Sequence, residues 1–176
     1  VPTVHEWLGR LFREPAGTVL EIGHVGSHLA LELANLGYSV TGCDLRPYFL
    51  KHKNVRSMVG DFLTYQFNMT FDVVVALSTI EHFGYSKRYG GTDKLENDLD
   101  RQALNRISKL LNPEGHCILT VPYGKSANAR TWFRTYTRGD LEEKVLEYFL
   151  IVEKRYYRRM ENQWRRVTND PSGDPE

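Results

Sequence analysis

Hydrophobic and polar positions divide the first part of the chain into a strand, a helix and a second strand. An apolar run over residues 19–22 ends at Gly23 and predicts a buried strand followed by a tight turn. Leucines then recur at helical spacing from Leu29 to Leu36, which predicts an amphipathic helix. A second apolar segment ends at Asp44, roughly 20 residues after the turn. The pattern predicts the opening of a βαβ unit.

Later segments continue the alternation of strands and helices. Residues 54–59 predict an edge strand, and Phe71–Leu77 is almost wholly apolar and β-branched, as in a strand covered on both faces. His116–Tyr123 predicts another central strand, after a turn over residues 112–115. The other predicted elements are three helices, Val4–Arg13, Asp100–Leu111 and Arg138–Tyr148, and a terminal hairpin of Phe149–Arg158 and Gln163–Val167 that turns at Glu161-Asn162.

The length of 176 residues fits a single α/β domain with a doubly wound, mostly parallel sheet. We divide it into an N-terminal helix (1–17), a ligand-binding core (18–123), a C-terminal helix and hairpin (124–168) and a polar tail (169–176). The 23 basic and 22 acidic side chains give a net charge of +1, which disfavours a sequence-independent grip on nucleic acid. Cys43 and Cys117 lie in apolar strands and are expected to be free thiols. With no signal peptide and no membrane-length apolar run, we expect a cytoplasmic protein without membrane contact.

Polar or glycine residues stand where the predicted strands end. Such positions are Gly23, Asp44, Asp61, Ser78 and Tyr123. Ligands of doubly wound sheets bind beyond the carboxyl ends of the strands, so five separate segments predict one site. A backbone turn followed by a distal carboxylate suits a cofactor that contains adenosine.

The first turn, Glu21-Ile22-Gly23-His24-Val25-Gly26-Ser27, does not have the three glycines of a dinucleotide fingerprint. Its carboxylate would repel a pyrophosphate and suits a ligand that carries positive charge. The turn resembles the first motif of class I S-adenosylmethionine-dependent methyltransferases, acidic-x-Gly-x-Gly-x-Gly. Val25 and Ser27 stand where that family usually has glycine. A purely structural turn is the alternative.

The resemblance extends over most of the chain and implies a seven-stranded sheet with the last strand antiparallel. It implies S-adenosylmethionine as the cofactor, with Asp44 on the ribose diol, Asp61 and Phe62 at the adenine, and Leu77 and Ser78 at the methyl-transfer centre. The implied cofactor-binding residues are Glu21, Gly23, His24, Ser27, Asp44, Asp61, Phe62, Leu77 and Ser78.

The segment Ser78–Phe83 carries the candidate catalytic residues, Glu81 and His82. An imidazole titrates near neutral pH, so His82 is a candidate general base; shaping the loop by hydrogen bonds is an equally weighted alternative. The loop over residues 85–100 has carboxylates that would suit Mg²⁺, but a solvated face or a helix cap explains them better, and we expect no metal. Candidate substrate residues are Tyr85, Arg88, Tyr89, Tyr123, Trp132, Arg134 and Tyr136.

We therefore expect methyl transfer to a hydroxyl or amine of a small-molecule or glycan-like acceptor. A non-catalytic adenosine-cofactor-binding or scaffold protein is the main alternative, because the first turn is degraded. Val25 and His28 argue against a nucleotide-linked oxidoreductase, which would have glycine at both positions. The basic and aromatic stretch Arg155–Arg166 leaves open a nucleic-acid methyltransferase, although an exposed edge hairpin explains it equally well. The sequence leaves open a homodimer.

Overall fold

Five parallel strands form the central sheet of the computed structural model, which describes residues 2–12, 17–85, 98–125, 128–129, 133–168 and 170–171. The strands lie in the order β3-β2-β1-β4-β5, so the chain switches direction across the sheet at β1 and β4. Their bounds are β1 (Thr18–Ile22), β2 (Ser39–Asp44), β3 (Val55–Val59), β4 (Phe71–Leu77) and β5 (Leu111–Thr120).

Four helices and a short 3₁₀ turn connect and flank these strands in the described residues. They are α1 (Pro2–Leu11), α2 (Leu29–Leu36), the 3₁₀ turn Ile80–His82, α3 (Leu99–Leu110) and α4 (Arg138–Leu146). Helix α2 ends at Gly37 in a left-handed conformation (φ 108°), which lets its N–H reach back to the last turn of the helix. No helix within the described ranges is long and apolar enough to span a bilayer.

Different helices cover the two faces of the sheet, because side chains alternate along each strand. Val19 packs on one face with Leu8 of α1 and Leu33 of α2. Leu20, the next residue of β1, packs on the other face with Leu104 of α3. Both faces are therefore buried, which confirms the predicted doubly wound α/β architecture. Both cysteines are free, as predicted.

The strand count differs from the seven strands that were expected. The C-terminal hairpin is present as β8 (Tyr156–Met160) and β9 (Gln163–Val167). Within the described part of the chain, these two strands pair only with each other and do not join the central sheet. A further short antiparallel pair consists of β6 (Asn128–Ala129) and β7 (Arg134–Thr135). The hairpin side chains, among them four arginines, are mostly exposed, and burying them against a core would cost their hydration.

Strand β5 lies at the edge of the described sheet, although the sequence predicted a central strand. It pairs with β4 alone, and most of its side chains are only half-buried. The predicted turn over residues 112–115 lies within it: Phe71 pairs with Leu111, whereas Val73 pairs with His116, so four residues bulge outward. Without a further strand beside it, β5 has a neighbour on one side only.

Candidate functional site

The first turn depends on a glycine at position 23. Gly23 has φ of 75° and donates its N–H to the Cys43 carbonyl of β2 at 2.8 Å. A Cβ here would lie 2.6 Å from the Thr79 hydroxyl, which leaves no room for a side chain. Thr79 Oγ1 in turn lies 3.1 Å from the carbonyl oxygen of Ile22. The ends of β1 and β4 are thus held in contact at the edge where ligands bind in this architecture.

His24, the next residue, anchors the turn to β2 through its side chain. The imidazole is fully buried, its Nε2 lies 2.9 Å from Ser57 Oγ, and its ring stands 4.7 Å from that of Tyr48. It occupies the space above Gly42, where a Cβ would lie 2.5 Å from two ring carbons. Since the ring faces the protein interior, the backbone is the part of His24 that can meet a cofactor.

Glu21 is a buried carboxyl directly below this turn. Only 2% of its surface is exposed, and its Oε2 has no hydrogen-bond partner among the described residues. Burial raises the pKa of Glu21 to about 7, against smaller opposing effects of the Ser27 hydroxyl and the Ala30 N–H. An unpartnered buried carboxyl oxygen is costly, so this position favours a ligand that donates hydrogen bonds.

The carboxylate of Asp44, at the end of β2, already accepts hydrogen bonds from groups of the protein. Oδ2 accepts from the Val25 N–H at 3.0 Å and from Arg46 Nη2 at 3.2 Å, while Oδ1 accepts from the Arg46 N–H and Nε at 3.0 and 3.1 Å. Burial opposes ionisation, but the Arg46 donors and the Val25 N–H outweigh it and lower the pKa of Asp44. Four donors match the capacity of a carboxylate, so a ribose diol has to displace the Arg46 guanidinium.

The turn after β3 carries the two residues that the family resemblance places at the adenine, and their side chains lie in different environments. Asp61 is exposed, and its Oδ1 accepts from the Leu63 N–H at 2.9 Å. Phe62 is buried in the core, with its ring 6.1 Å from that of Phe83 and the Arg106 guanidinium 5.6 Å away. The backbone of Phe62, and not its ring, is therefore available to a ligand at this edge.

The two candidate catalytic residues in the loop after β4 differ in burial. Leu77 is half-buried, and Ser78 is exposed with φ of 46°. Glu81 is 2% exposed, its Oε2 has no partner among the residues described, and burial raises its pKa to about 7. His82 is half-buried, with its ring 6.4 Å from Phe133. Of the two, His82 is the one that an acceptor can reach.

A buried ionic cluster behind this loop was not predicted from the sequence. Asp100 is fully buried, and its Oδ2 accepts from Tyr136 (3.0 Å), Lys144 (2.7 Å) and Arg134 (2.8 Å). Burial opposes ionisation of Asp100, but the Lys144 and Arg134 cations outweigh it and keep its pKa below the usual range. The sequence had placed Asp100 as a loop carboxylate or a helix cap, because its partners lie 34 to 44 residues away in the chain.

Two of the candidate substrate residues belong to this cluster. Arg134 also donates to the Phe83 carbonyl at 3.0 Å, and its guanidinium lies 5.4 Å from the Tyr85 ring. Tyr136 is 2% exposed, so no open surface of it faces an acceptor. Arg134 ties the loop after β4 to α3, whereas Tyr136 ties α3 to the segment after β5 through backbone hydrogen bonds with Pro122 and Gly124. Their positions favour a supporting role over direct contact with substrate.

Tyr123, which follows β5, contacts the C-terminal region of the chain. Its hydroxyl donates to Asp170 Oδ2 at 2.8 Å, and its ring centroid lies 5.4 Å from that of Tyr156. Arg88, Tyr89 and Trp132, the remaining candidate substrate residues, lie outside the described residues.

The parallel sheet, the glycine turn after β1 and the carboxylate after β2 define a Rossmann-like cofactor-binding fold. The family model described as "Methyltransferase domain" matches residues 20–119, over half of the chain. The chain therefore belongs to the methyltransferase domain family and is a class I S-adenosylmethionine-dependent methyltransferase. The comparison with curated proteins gives no match.

Solved structures share the fold at low sequence identity. A TehB-like SAM-dependent methyltransferase from Corynebacterium glutamicum has a TM-score of 0.54 and 20% identity over 86% of this chain and 74% of that one. The 1,6-didemethyltoxoflavin-N1-methyltransferase of Burkholderia thailandensis, bound to 1,6-didemethyltoxoflavin and S-adenosylhomocysteine, has a TM-score of 0.60 and 18% identity, covering 89% and 68%. The glycopeptide N-methyltransferase MtfA has a TM-score of 0.58 and 14% identity, covering 89% and 82%.

The side chains at the sheet edge are chemically suited to this cofactor. The unpartnered oxygen of Glu21 suits the ammonium group of an amino-acid moiety, and the Asp44 carboxylate suits a vicinal diol. The turn at Gly23 exposes backbone where a side chain would collide with Thr79. The Arg46 guanidinium is the one group in this set that has to move.

Proposed function

We propose that this enzyme methylates a hydroxyl or amine of a small-molecule or sugar-like acceptor. The observation that carries the proposal is the convergence of three segments at one sheet edge: the Gly23 turn, the Asp44 carboxylate and the loop that presents His82. The similar folds of a toxoflavin-precursor and a glycopeptide methyltransferase support an acceptor of this class.

In this proposal each end of the cofactor has its own residues. Glu21 receives the ammonium group beside the first turn, and the backbone of Gly23 and His24 with Ser27 lines the amino-acid moiety. Asp44 accepts from the ribose hydroxyls once Arg46 has moved aside. Asp61 and the Phe62 backbone face the adenine, while Leu77 and Ser78 lie beside the sulfur. When bound, the cofactor supplies an electrophilic methyl group on a sulfonium.

His82 is the proposed general base. A hydroxyl or amine must lose a proton as it forms the new bond to carbon, and the half-buried imidazole of His82 accepts that proton. Glu81 lies behind it in the same 3₁₀ turn and is buried, so we assign it a supporting role. Arg134 holds the loop that carries both residues through its contacts with the Phe83 carbonyl and the Tyr85 ring.

The test compares His82→Gln with a matched control, His5→Gln. His5 lies on α1 and pairs with Glu32, away from the sheet edge. S-adenosylhomocysteine release is measured with a panel of amino sugars and small amines and alcohols. We expect His82→Gln to lower turnover about 100-fold or more, the usual contribution of a general base, and to leave the affinity for S-adenosylhomocysteine unchanged. Unchanged turnover would remove His82 as the base.

A non-catalytic cofactor-binding or scaffold protein is the second candidate, and the state of Asp44 favours it. A carboxylate already saturated by Arg46 and Val25 offers nothing to a ribose until that contact opens. Wild-type protein that binds S-adenosylhomocysteine but methylates none of the panel supports a binding role. Protein that binds neither S-adenosylhomocysteine nor NAD supports a scaffold.

A further inference from the structure

A cavity of about 460 Å³ lies between the start of α4 and the C-terminal hairpin, apart from the residues of the proposed cofactor site. Its walls come from three segments: Arg138 at the first position of α4, residues 154–156 leading into β8, and residues 166–168 at the end of β9. A volume of this size is typical of small-molecule sites and exceeds what a single ion fills. The cavity has no role in the function proposed above.

Positive charge dominates the lining of this cavity. Four of its lining side chains are cationic, Arg138, Lys154, Arg155 and Arg166, and none of the lining side chains that the structure describes is acidic. A concave surface with one sign of charge concentrates ligands of the opposite sign. The net charge of the whole chain is only +1, so this concentration is local.

Carboxylates behind the lining hold three of the cations in place. Arg138 Nε and Lys154 Nζ contact Glu142 Oε1 at 3.0 and 3.4 Å. Arg155 has only 3% of its side chain exposed, and its guanidinium is bound by Glu6 and Glu153. This arrangement restricts the motion of the cations, so that a ligand need not order them on binding.

Arg166 differs from the other three cations because no carboxylate of the described residues lies within ion-pair distance, although its charge helps to lower the pKa of Glu6. It is exposed at the end of β9. An arginine presents several N–H donors in a planar fork that matches the oxygens of a phosphate group. Thr168 adds a hydroxyl to the same cavity, and Tyr156 adds an aromatic ring whose hydroxyl donates to Asp170 Oδ2 at 3.3 Å.

We propose that this cavity binds the phosphate group of a small molecule of sugar or nucleoside size. Four cations and the Thr168 hydroxyl match an anion with several oxygens, and the volume leaves room for an attached ring. The Tyr156 ring supplies a flat wall for that ring, and its centroid lies 5.4 Å from the tilted ring of Tyr123, just beyond the carboxyl end of β5. The inference does not depend on methyl transfer.

The test is calorimetric titration of the full chain with glucose 1-phosphate, inorganic pyrophosphate and unphosphorylated glucose. Wild-type protein should bind the first two saturably and glucose not at all. Arg166→Ala should weaken binding about tenfold or more, since one charge-assisted contact is lost. The matched control, Arg165→Ala, removes the same charge from the adjacent exposed residue that does not line the cavity, and should change affinity less than about twofold.

Thermal unfolding of both variants should match wild type, because both side chains are exposed. The affinity of both variants for S-adenosylhomocysteine should also be unchanged, which separates this inference from the proposed function. Absence of saturable binding to wild-type protein would overturn the inference. Equal weakening by the two arginine variants would also overturn it, because it would assign binding to diffuse surface charge. Tighter binding of a short RNA than of either phosphate compound would reassign the surface to nucleic acid.

Discussion

Replacing Gly42 with alanine should damage both the stability of the fold and the cofactor site. The new Cβ would lie 2.5 Å from two carbons of the fully buried His24 ring, well inside van der Waals contact. Overpacking of a core costs about 1–3 kcal/mol, and displacing the ring also breaks its contact with Ser57, worth about 1 kcal/mol. Alanine gains only about 0.5–1 kcal/mol over glycine within a strand. The clash therefore prevails, with a net loss of about 1–3.5 kcal/mol.

Urea unfolding of four proteins measures this effect: wild type, Gly42→Ala, His24→Ala and the double variant. In the absence of the imidazole, the alanine at position 42 should cost nothing, because the space it needs is empty. The coupling free energy between the two changes should then be about 2 kcal/mol or more. Calorimetry should also show weaker S-adenosylhomocysteine binding by Gly42→Ala, since the ring that anchors the first turn has moved.

Gly9→Ala provides the matched control. Gly9 lies within α1 and nothing stands within 4 Å of a Cβ built there, so alanine should stabilise the protein by about 0.5–1 kcal/mol. A Gly42→Ala variant as stable as wild type would mean that the His24 ring does not need the space beside Gly42. An equal loss in the free energy of unfolding with and without the His24 ring would mean the same.

Three further predictions concern charged groups. Arg46→Ala should strengthen S-adenosylhomocysteine binding about two- to fivefold in calorimetry, because the ribose no longer competes with a half-exposed ion pair worth up to about 1 kcal/mol. Wild-type stability should fall as pH rises from about 4.5 through 7, because the raised pKa values of Glu21 and Glu81 make the folded state hold protons that the unfolded state releases. In urea unfolding, Glu21→Gln should remove about 3 kcal/mol of that fall. Asp100→Asn should cost about 3 kcal/mol in the same assay, since it leaves the half-buried cations of Arg134 and Lys144 without their buried counter-charge.

Each of these predictions has an outcome that contradicts it. The control for Arg46 is Arg56→Ala, an equal loss of charge at an exposed position of β3, and equal effects of the two would mean that Arg46 does not compete with the ribose. A pH profile of Glu21→Gln that superimposes on wild type would mean that Glu21 is ionised at neutral pH. A fully stable Asp100→Asn would mean that the cluster is solvated.

Elements that depend on local pattern could be predicted from the sequence. The strand Phe71–Leu77 has the predicted bounds, because an uninterrupted apolar run of this length has few alternatives. The order of Gly23 and Asp44 along the chain likewise predicted their positions at one sheet edge, since the carboxyl ends of parallel strands meet there.

Features that depend on long-range packing could not be predicted in this way. The burial of His24 requires a glycine 18 positions later in the chain, and Asp100 requires partners on β7 and α4. The local strand pattern also does not indicate which strands join the central sheet. Tyr156–Met160 and Gln163–Val167 have a strand pattern, but their arginines keep them on the surface.

Titration of S-adenosylhomocysteine into wild-type protein and Asp44→Ala tests whether the sheet edge beside Gly23 and Asp44 holds the cofactor. The account predicts saturable binding of one molecule per chain to wild type, and weakening of about tenfold or more in Asp44→Ala, because two charge-assisted hydrogen bonds to the ribose are lost. NAD should not bind. Absence of binding to the wild-type protein, or equal affinity in the variant, would contradict the account.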